Sequence, residues 1–224
     1  MSISENIERL NAEITAVCER ADRELSEITL IAASKYADAD GIRQAYDAGL
    51  RDFGENRVQE ALHKMGALPD DIRWHMIGHL QRNKVTKVVG RFDSIHSVDS
   101  PRLAEKINQV AGDCGLIQSV MLEVNVAGEE SKYGLDVEVT EKLAQEVVKM
   151  ENLKLTGLMT MAPLTDDQEL IRGIFRSLRK LRDNLSDLLG IPLPHLSMGM
   201  TNDWQIAIEE GATHLRIGSA IFVE

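Results

Sequence analysis

Cysteine is nearly absent from this 224-residue chain, with Cys18 and Cys114 the only two. Two thiols are too few for a disulfide framework or a thiolate metal site, which suits a reducing compartment. Positive charge is also scarce: 25 Lys and Arg stand against 36 Asp and Glu, a formal net charge of -11. Neutralising nucleic-acid phosphates needs a basic face that this balance does not supply. The cluster Arg179-Lys180-Leu181-Arg182 lies in a helical pattern and reads as a solvated face. No stretch approaches the roughly 18 apolar residues of a membrane span. The N-terminus has neither a basic n-region nor an apolar h-region, so the expected location is the cytoplasm. The G-x-G-x-x-G turn of dinucleotide folds and the Walker phosphate loop are missing as well.

What is present is an ordinary globular composition, 43% hydrophobic and 27% charged, with too much apolar content for disorder. The length is that of one α/β barrel and leaves little room for a second domain. Ile3, Ile7, Leu10, Ile14, Val17 and Ala21 are spaced by threes and fours, one stripe of a leading helix, with Ser2 and Glu5 placed as a capping box. Short β-like runs then alternate with amphipathic helical segments, the signature of a parallel sheet. The predicted strands are 29–35, 52–56, 73–78, 94–99, 119–126, 154–161, 195–199 and 214–222, with helices beginning near Ala39, Arg57, Leu80, Pro101, Val137, Asp166 and Asn202. Eight strands, seven intervening helices and a leading helix describe a single closed (β/α)₈ barrel spanning 1–224, its eighth helix moved to the N-terminus. An open doubly wound sheet is the alternative topology.

Active sites of such barrels lie at the C-terminal strand ends. The first strand ends in Lys35, and period-two alternation puts Ile31, Ala33 and Lys35 on one face. A surface lysine is the ordinary reading; a partly desolvated one is an amine nucleophile suited to Schiff-base chemistry. The seventh strand runs into Ser197-Met198-Gly199-Met200-Thr201-Asn202-Asp203, where Thr201 or Asn202 would cap a helix. The eighth contains Arg216-Ile217-Gly218-Ser219. The loops after strands seven and eight of a barrel commonly hold phosphate. Gly199 and Gly218 are otherwise turn residues. By parity Arg216 faces the same space as Gly218, either as a structural ion pair or as a donor to a ring nitrogen or carboxylate.

Seven ordered blocks resemble the pyridoxal phosphate homeostasis protein family, relatives of the N-terminal barrel of alanine racemase. They are Ala33-Ser34-Lys35, Phe53-Gly54-Glu55-Asn56-Arg57-Val58-Gln59-Glu60, the run 74–84 from Trp74 to Lys84, Ser131-Lys132-Tyr133-Gly134, Gly157-Leu158-Met159-Thr160-Met161, Ser197-Met198-Gly199-Met200-Thr201-Asn202-Asp203, and the run 216–222 from Arg216 to Phe222. The resemblance implies pyridoxal 5′-phosphate (PLP) as a Schiff base on Lys35, with Asn56 beside it. Ser197, Thr201, Gly218 and Ser219, with Met198 and Gly199 in the same loop, would hold the phosphate, and Arg216 would face the pyridine nitrogen. Two departures stand out: Tyr36-Ala37-Asp38-Ala39-Asp40 opens the helix after Lys35 where a threonine or lysine and a proline are common, and Val223-Glu224 follows Phe222 where a glycine is common.

An arginine at the pyridine nitrogen disfavours ring protonation and weakens the ring as an electron sink. A racemase also needs a second acid or base, supplied in alanine racemase by a tyrosine of another domain. The chain ends two residues after Phe222, so that domain is expected to be missing. Of Tyr36, Tyr46 and Tyr133, only Tyr133 is placed to approach the mouth. The expected function is therefore a monomeric PLP carrier or buffer in vitamin B6 homeostasis, with apo PLP enzymes as candidate recipients and no dedicated reaction. The alternative is a PLP-dependent amino-acid racemase of low activity. A metal-dependent hydrolase ranks below both, because His75, His79, His96, His195 and His214 are scattered singly. So does a cofactor-free aldolase, because Lys154 opens strand six at the wrong end.

Overall fold

The computed structural model describes residues 2–35, 37–128 and 133–223. Its strands are β1 (Thr29–Ala33), β2 (Asp52–Glu55), β3 (Arg73–Met76), β4 (Ser94–Val98), β5 (Gln118–Glu123), β6 (Leu153–Met159), β7 (His195–Ser197) and β8 (His214–Ile217). They pair in sequence order, all in parallel, and β8 closes on β1 to make a barrel. The open-sheet alternative is thereby set aside. The helices are α1 (Ile3–Arg20), α2 (Ala39–Asp47), α3 (Val58–Met65), α4 (Val85–Val88), α5 (Pro101–Asp113), α6 (Val137–Val147), α7 (Gln168–Leu189), α8 (Trp204–Glu209) and α9 (Ser219–Phe222).

Local chemistry explains where the helices start and stop. Ser2 and Glu5 form the expected capping box at α1, each side chain accepting from the other's backbone amide at 2.7 and 3.2 Å. Asp38 caps α2 through Gly41 N at 2.8 Å, so the unusual approach to this helix has a conventional N-cap. The 22-residue α7 opens on Asp167, whose carboxylate accepts from Leu170 N, and closes on Gly190.

The strands are shorter than their apolar runs suggest. β1 stops at Ala33, so Lys35 stands in the following turn; β3, β5, β6 and β7 also stop two or three residues early. At these points the chain leaves the ladder to build the mouth. The largest correction concerns the end of β8. Ala-Ile-Phe-Val reads as β-rich, yet Ser219–Phe222 is a helical turn whose Ile221 and Phe222 amides bond to Gly218 O. The barrel therefore keeps a short eighth helix, and α1 packs against α2, α8 and α9, with Asn6 Nδ2 donating to Ile221 O at 3.2 Å.

Alternation separates the two faces of each strand. Ala32, Phe53, Ile95, Val120, Leu158, Leu196, Leu215 and Ile217 join the helices in one apolar core. The opposite parity fills the lumen with Ile31, Ile77, Met121 and Met159, and with the polar Asp52, His75, His96, Ser197, His214 and Arg216, all buried.

Between β7 and α8 the chain passes through Gly199 at φ +94°, where a Cβ would come within 2.6 Å of Ala207 Cβ. Gly199→Ala is expected to destabilise the fold by about 1–3 kcal/mol through backbone strain and overpacking. Urea unfolding reads this as a lower midpoint at constant slope, and an unchanged midpoint would contradict it.

Candidate functional site

At the C-terminal mouth, loops following β1, β2, β3, β6, β7 and β8 enclose a cavity of about 210 Å³ lined by Ala33, Lys35, Asn56, Ile77, Met161, Met200, Thr201, Arg216, Gly218 and Ser219. Six of the residues expected from the sequence thus meet in one place: Lys35, Asn56, Thr201, Arg216, Gly218 and Ser219. Lys35 is an exposed arm on the turn after β1. On the β7 and β8 side, Ser219 Oγ donates to Thr201 Oγ1 at 3.1 Å, so two hydroxyls converge on one point. Ser219 opens α9, and the first helical bond comes from Ile221, leaving the Ser219 and Ala220 amides ahead of the ladder. Gly218 is needed because a Cβ would meet Ala33 O at 2.9 Å.

Three expected residues do not line the cavity. Ser197 is fully buried, Met198 packs in the helix–sheet core, and Gly199 turns the chain outside the cavity while its carbonyl accepts from Arg216 N at 2.9 Å. Neither Thr201 nor Asn202 caps α8. Asp203 occupies that place, and its Oδ1 accepts from Met200 N. Tyr46 binds Asp71 at 2.7 Å, and Tyr133 stacks on His79 at 4.1 Å between centroids. Tyr36, Ser131 and Lys132 lie outside the described residues.

The floor of the cavity is Arg216, 5% exposed. Its Nη1 donates to Ser197 Oγ at 2.6 Å and its Nη2 to Thr160 O at 2.9 Å. Beneath it Ser197 Oγ lies 2.9 Å from His96 Nδ1, His96 Nε2 lies 3.1 Å from His75 Nδ1, and His75 Nε2 lies 2.9 Å from Asp52 Oδ1. The ends decide the protons. Asp52, held by His75 and Arg73, only accepts, so His75 donates from Nε2, and in the tautomer that continues the chain its Nδ1 accepts. His96 then donates from Nε2, and Ser197 donates to His96 while accepting from Arg216. One polarised chain runs from the cation to the anion through the barrel axis.

The histidines are therefore gathered, contrary to the expectation that they are scattered. His75, His96, His195 and His214 meet edge to face, with centroids 4.6–6.2 Å apart, while His79 sits on the rim. Among the described residues no group of His, Cys, Asp and Glu has metal-binding geometry. Parity on β3, β4, β7 and β8 is the signal that points these rings inward; which rings touch depends on barrel stagger.

Burial sets the charges in this column. It drives His96 well below the ordinary histidine range, aided by His75 and His214, and His214 down to about 3. It also lowers Arg216 to about 10, opposed by Asp203 and Glu123, so the guanidinium stays charged at neutral pH. Asp52 falls to about 2 because hydrogen bonds from His75 and Arg73 outweigh its burial. Glu123 rises to about 7 through burial and the nearby Asp99.

Residues 6–224 match the alanine racemase, N-terminal domain family. The pyridoxal phosphate homeostasis protein of Aquifex aeolicus is 44% identical over 100% of this chain and 99% of its own. That of Homo sapiens is 39% identical over 96% of this chain and 84% of its own. Among solved structures, PipY of Synechococcus elongatus PCC7942 with PLP bound is 36% identical, with a TM-score of 0.87 over 99% of this chain and 100% of that one. No helix among the described residues is long and apolar enough to cross a membrane.

These charges predict a pH profile. His214 titrates near 3 folded against 6.5 unfolded. Between those values only the unfolded chain takes the proton, so this contribution is complete above pH 6.5 and is lost as pH falls toward 3. Glu123, near 7 folded against 4.5 unfolded, acts in the opposite sense, its contribution complete below 4.5 and lost as pH rises through 7. In urea titrations from pH 4 to 8, His214→Gln is expected to flatten the acid limb. Glu123→Gln is expected to raise stability at pH 8 by on the order of 1–3 kcal/mol and leave pH 4 unchanged. A Glu123→Gln variant less stable at pH 8 would contradict a carboxyl whose charge is disfavoured by burial.

Proposed function

The chain belongs to the pyridoxal phosphate homeostasis proteins of the alanine racemase N-terminal domain family, and on that premise we propose that it binds PLP in the mouth cavity, attached to Lys35. We read it as a cytoplasmic, monomeric carrier of the cofactor that buffers the free aldehyde and delivers it to apo enzymes. The observation that carries this reading is a single cavity of about 210 Å³ gathering an amine, a buried guanidinium and paired hydroxyls. PLP supplies an aldehyde that condenses with an amine, with loss of one water.

The residues present fit that group. Lys35 offers the nucleophile on one wall. Thr201, Ser219 and the amides of Ser219 and Ala220 ahead of the α9 ladder offer donors to a phosphate on another, a place where an anion is favoured. Arg216 bears a permanent charge between them and has no proton vacancy, so a ring nitrogen set against it remains unprotonated. Ser197, expected on the phosphate, has its hydroxyl committed to Arg216 and His96 and serves this charge instead. Asn56 lines the cavity beside Lys35. An unprotonated ring is a weak electron sink, which favours holding the cofactor over turning over amino acids.

Incubation with PLP, borohydride reduction and peptide mapping are expected to place the adduct on Lys35, and Lys35→Ala to abolish it with the fold intact. An adduct mapped to another lysine overturns the assignment. Exchange of an amino acid's Cα proton above the free-cofactor rate would favour a racemase.

The phosphate wall is tested separately. Thr201→Ala with Ser219→Ala is expected to weaken PLP binding about tenfold or more, from losing hydrogen bonds worth about 1.5–3 kcal/mol each to a charged group, and to leave pyridoxal binding nearly unchanged. Equal losses for both ligands would put the phosphate elsewhere.

A further inference from the structure

Lys35 carries a long flexible arm, so its aim depends on where its backbone is held. The preceding residue, Ser34, is fully buried with every polar group engaged. Its amide donates to Gly54 O at 3.0 Å, and its hydroxyl donates to Glu55 Oε1 at 2.8 Å. Its carbonyl accepts from Lys64 Nζ at 2.8 Å and from Ala37 N at 3.0 Å, the latter closing a turn over Lys35. Lys64 Nζ also meets Glu55 Oε1 at 2.8 Å, an ion pair between a fully buried carboxylate and an ammonium whose side chain is 12% exposed.

A buried ion pair is a poor stabiliser, because desolvating both charges offsets their attraction and an apolar pair of the same shape holds a helix to a strand at least as well. This pair is also incompletely satisfied: Glu55 Oε2 has no hydrogen-bond partner among the described residues. Its distinguishing property is direction. Glu55 ends β2, and Lys64 lies in the last turn of α3 with its ammonium on the Ser34 carbonyl. Both charges converge on the residue beside Lys35.

We propose that Glu55 and Lys64 are positioning residues for Lys35, clamping Ser34 so that the amine is presented to the cavity from a fixed base. The proposal rests on PLP attachment at Lys35, and its test separates capture of the aldehyde from binding of the rest of the ligand. The paired variant Glu55→Gln/Lys64→Met removes both charges and keeps the shape. Two quantities are compared with wild type: the rate of borohydride-trappable adduct formation with PLP, and the affinity for pyridoxine 5′-phosphate, which carries an alcohol in place of the aldehyde.

The expected result is capture slowed about tenfold or more, the effect of a misaimed reactive group, with pyridoxine phosphate affinity within about twofold of wild type. Lys64→Arg, which keeps the charge on Ser34 O, should restore most of the capture rate. Unchanged capture, or parallel loss of capture and pyridoxine phosphate affinity, overturns the positioning role. If the paired variant does not fold, Ser34→Ala tests the same clamp by removing only the hydroxyl on Glu55, with slower capture expected and unchanged capture contradicting it. A wild type that binds neither ligand sinks the binding reading and this proposal together.

Discussion

A guanidinium buried inside a β-barrel must keep its charge hydrogen-bonded on every side that faces the lumen. Arg216 stands 5% exposed in the lumen, where an unpaired charge would be prohibitively costly. No carboxylate touches it in the described contacts. Its donors go to Ser197 Oγ and Thr160 O, the first of these opening a hydrogen-bonded chain through His96 and His75 to Asp52, while the nearby Asp203 and Glu123 oppose the cost of its burial. Each member donates one proton toward the anion, so the dipoles align and reinforce one another. This arrangement requires a neutral His96 ring, which burial enforces. The unusually polar lumen is therefore the support of one cation at the mouth.

From that floor the site is assembled by elements that leave their strands early. β1, β7 and β8 stop at Ala33, Ser197 and Ile217, and the next few residues of each supply Lys35, Thr201, Gly218 and Ser219. The two walls differ in how they are held. The β8 wall is backbone and hydroxyl, kept close to β1 because Gly218 has no Cβ to strike Ala33 O. The β1 wall is an exposed lysine on a rigid base, Ser34. A fixed charge, fixed donors and one movable amine suit reversible capture better than the two-sided proton transfer of a racemase, which needs a second group opposite the first.

Much of this was legible in the residues. The repeated change of period from two to 3.6 identifies eight strands and the helices between them, and parity on β8 places Arg216 inward. Alternation reports which face a residue occupies and nothing about its height or its neighbours across the barrel. For that reason His75, His96 and His214 read as isolated residues, although their parity places all three in the lumen. Ser197 shows the same ambiguity: it belongs to the right strand, but its hydroxyl meets Arg216 and His96 and it does not line the cavity. The helical turn Ser219–Phe222 was hidden by a β-rich composition, because the decision lies in the backbone at Gly218 and not in the propensities that follow. Glu55 and Lys64 look like ordinary strand-end and helix charges until the fold puts both on Ser34.

With its ring nitrogen set against a charged Arg216, which has no vacancy for a proton, bound PLP would keep that nitrogen neutral. Nitrogen NMR of the protein loaded with PLP labelled at its ring ¹⁵N tests this directly. The expected shift is that of a neutral pyridine nitrogen, unchanged between pH 5 and 8, whereas a pyridinium shift at neutral pH would contradict this placement of Arg216.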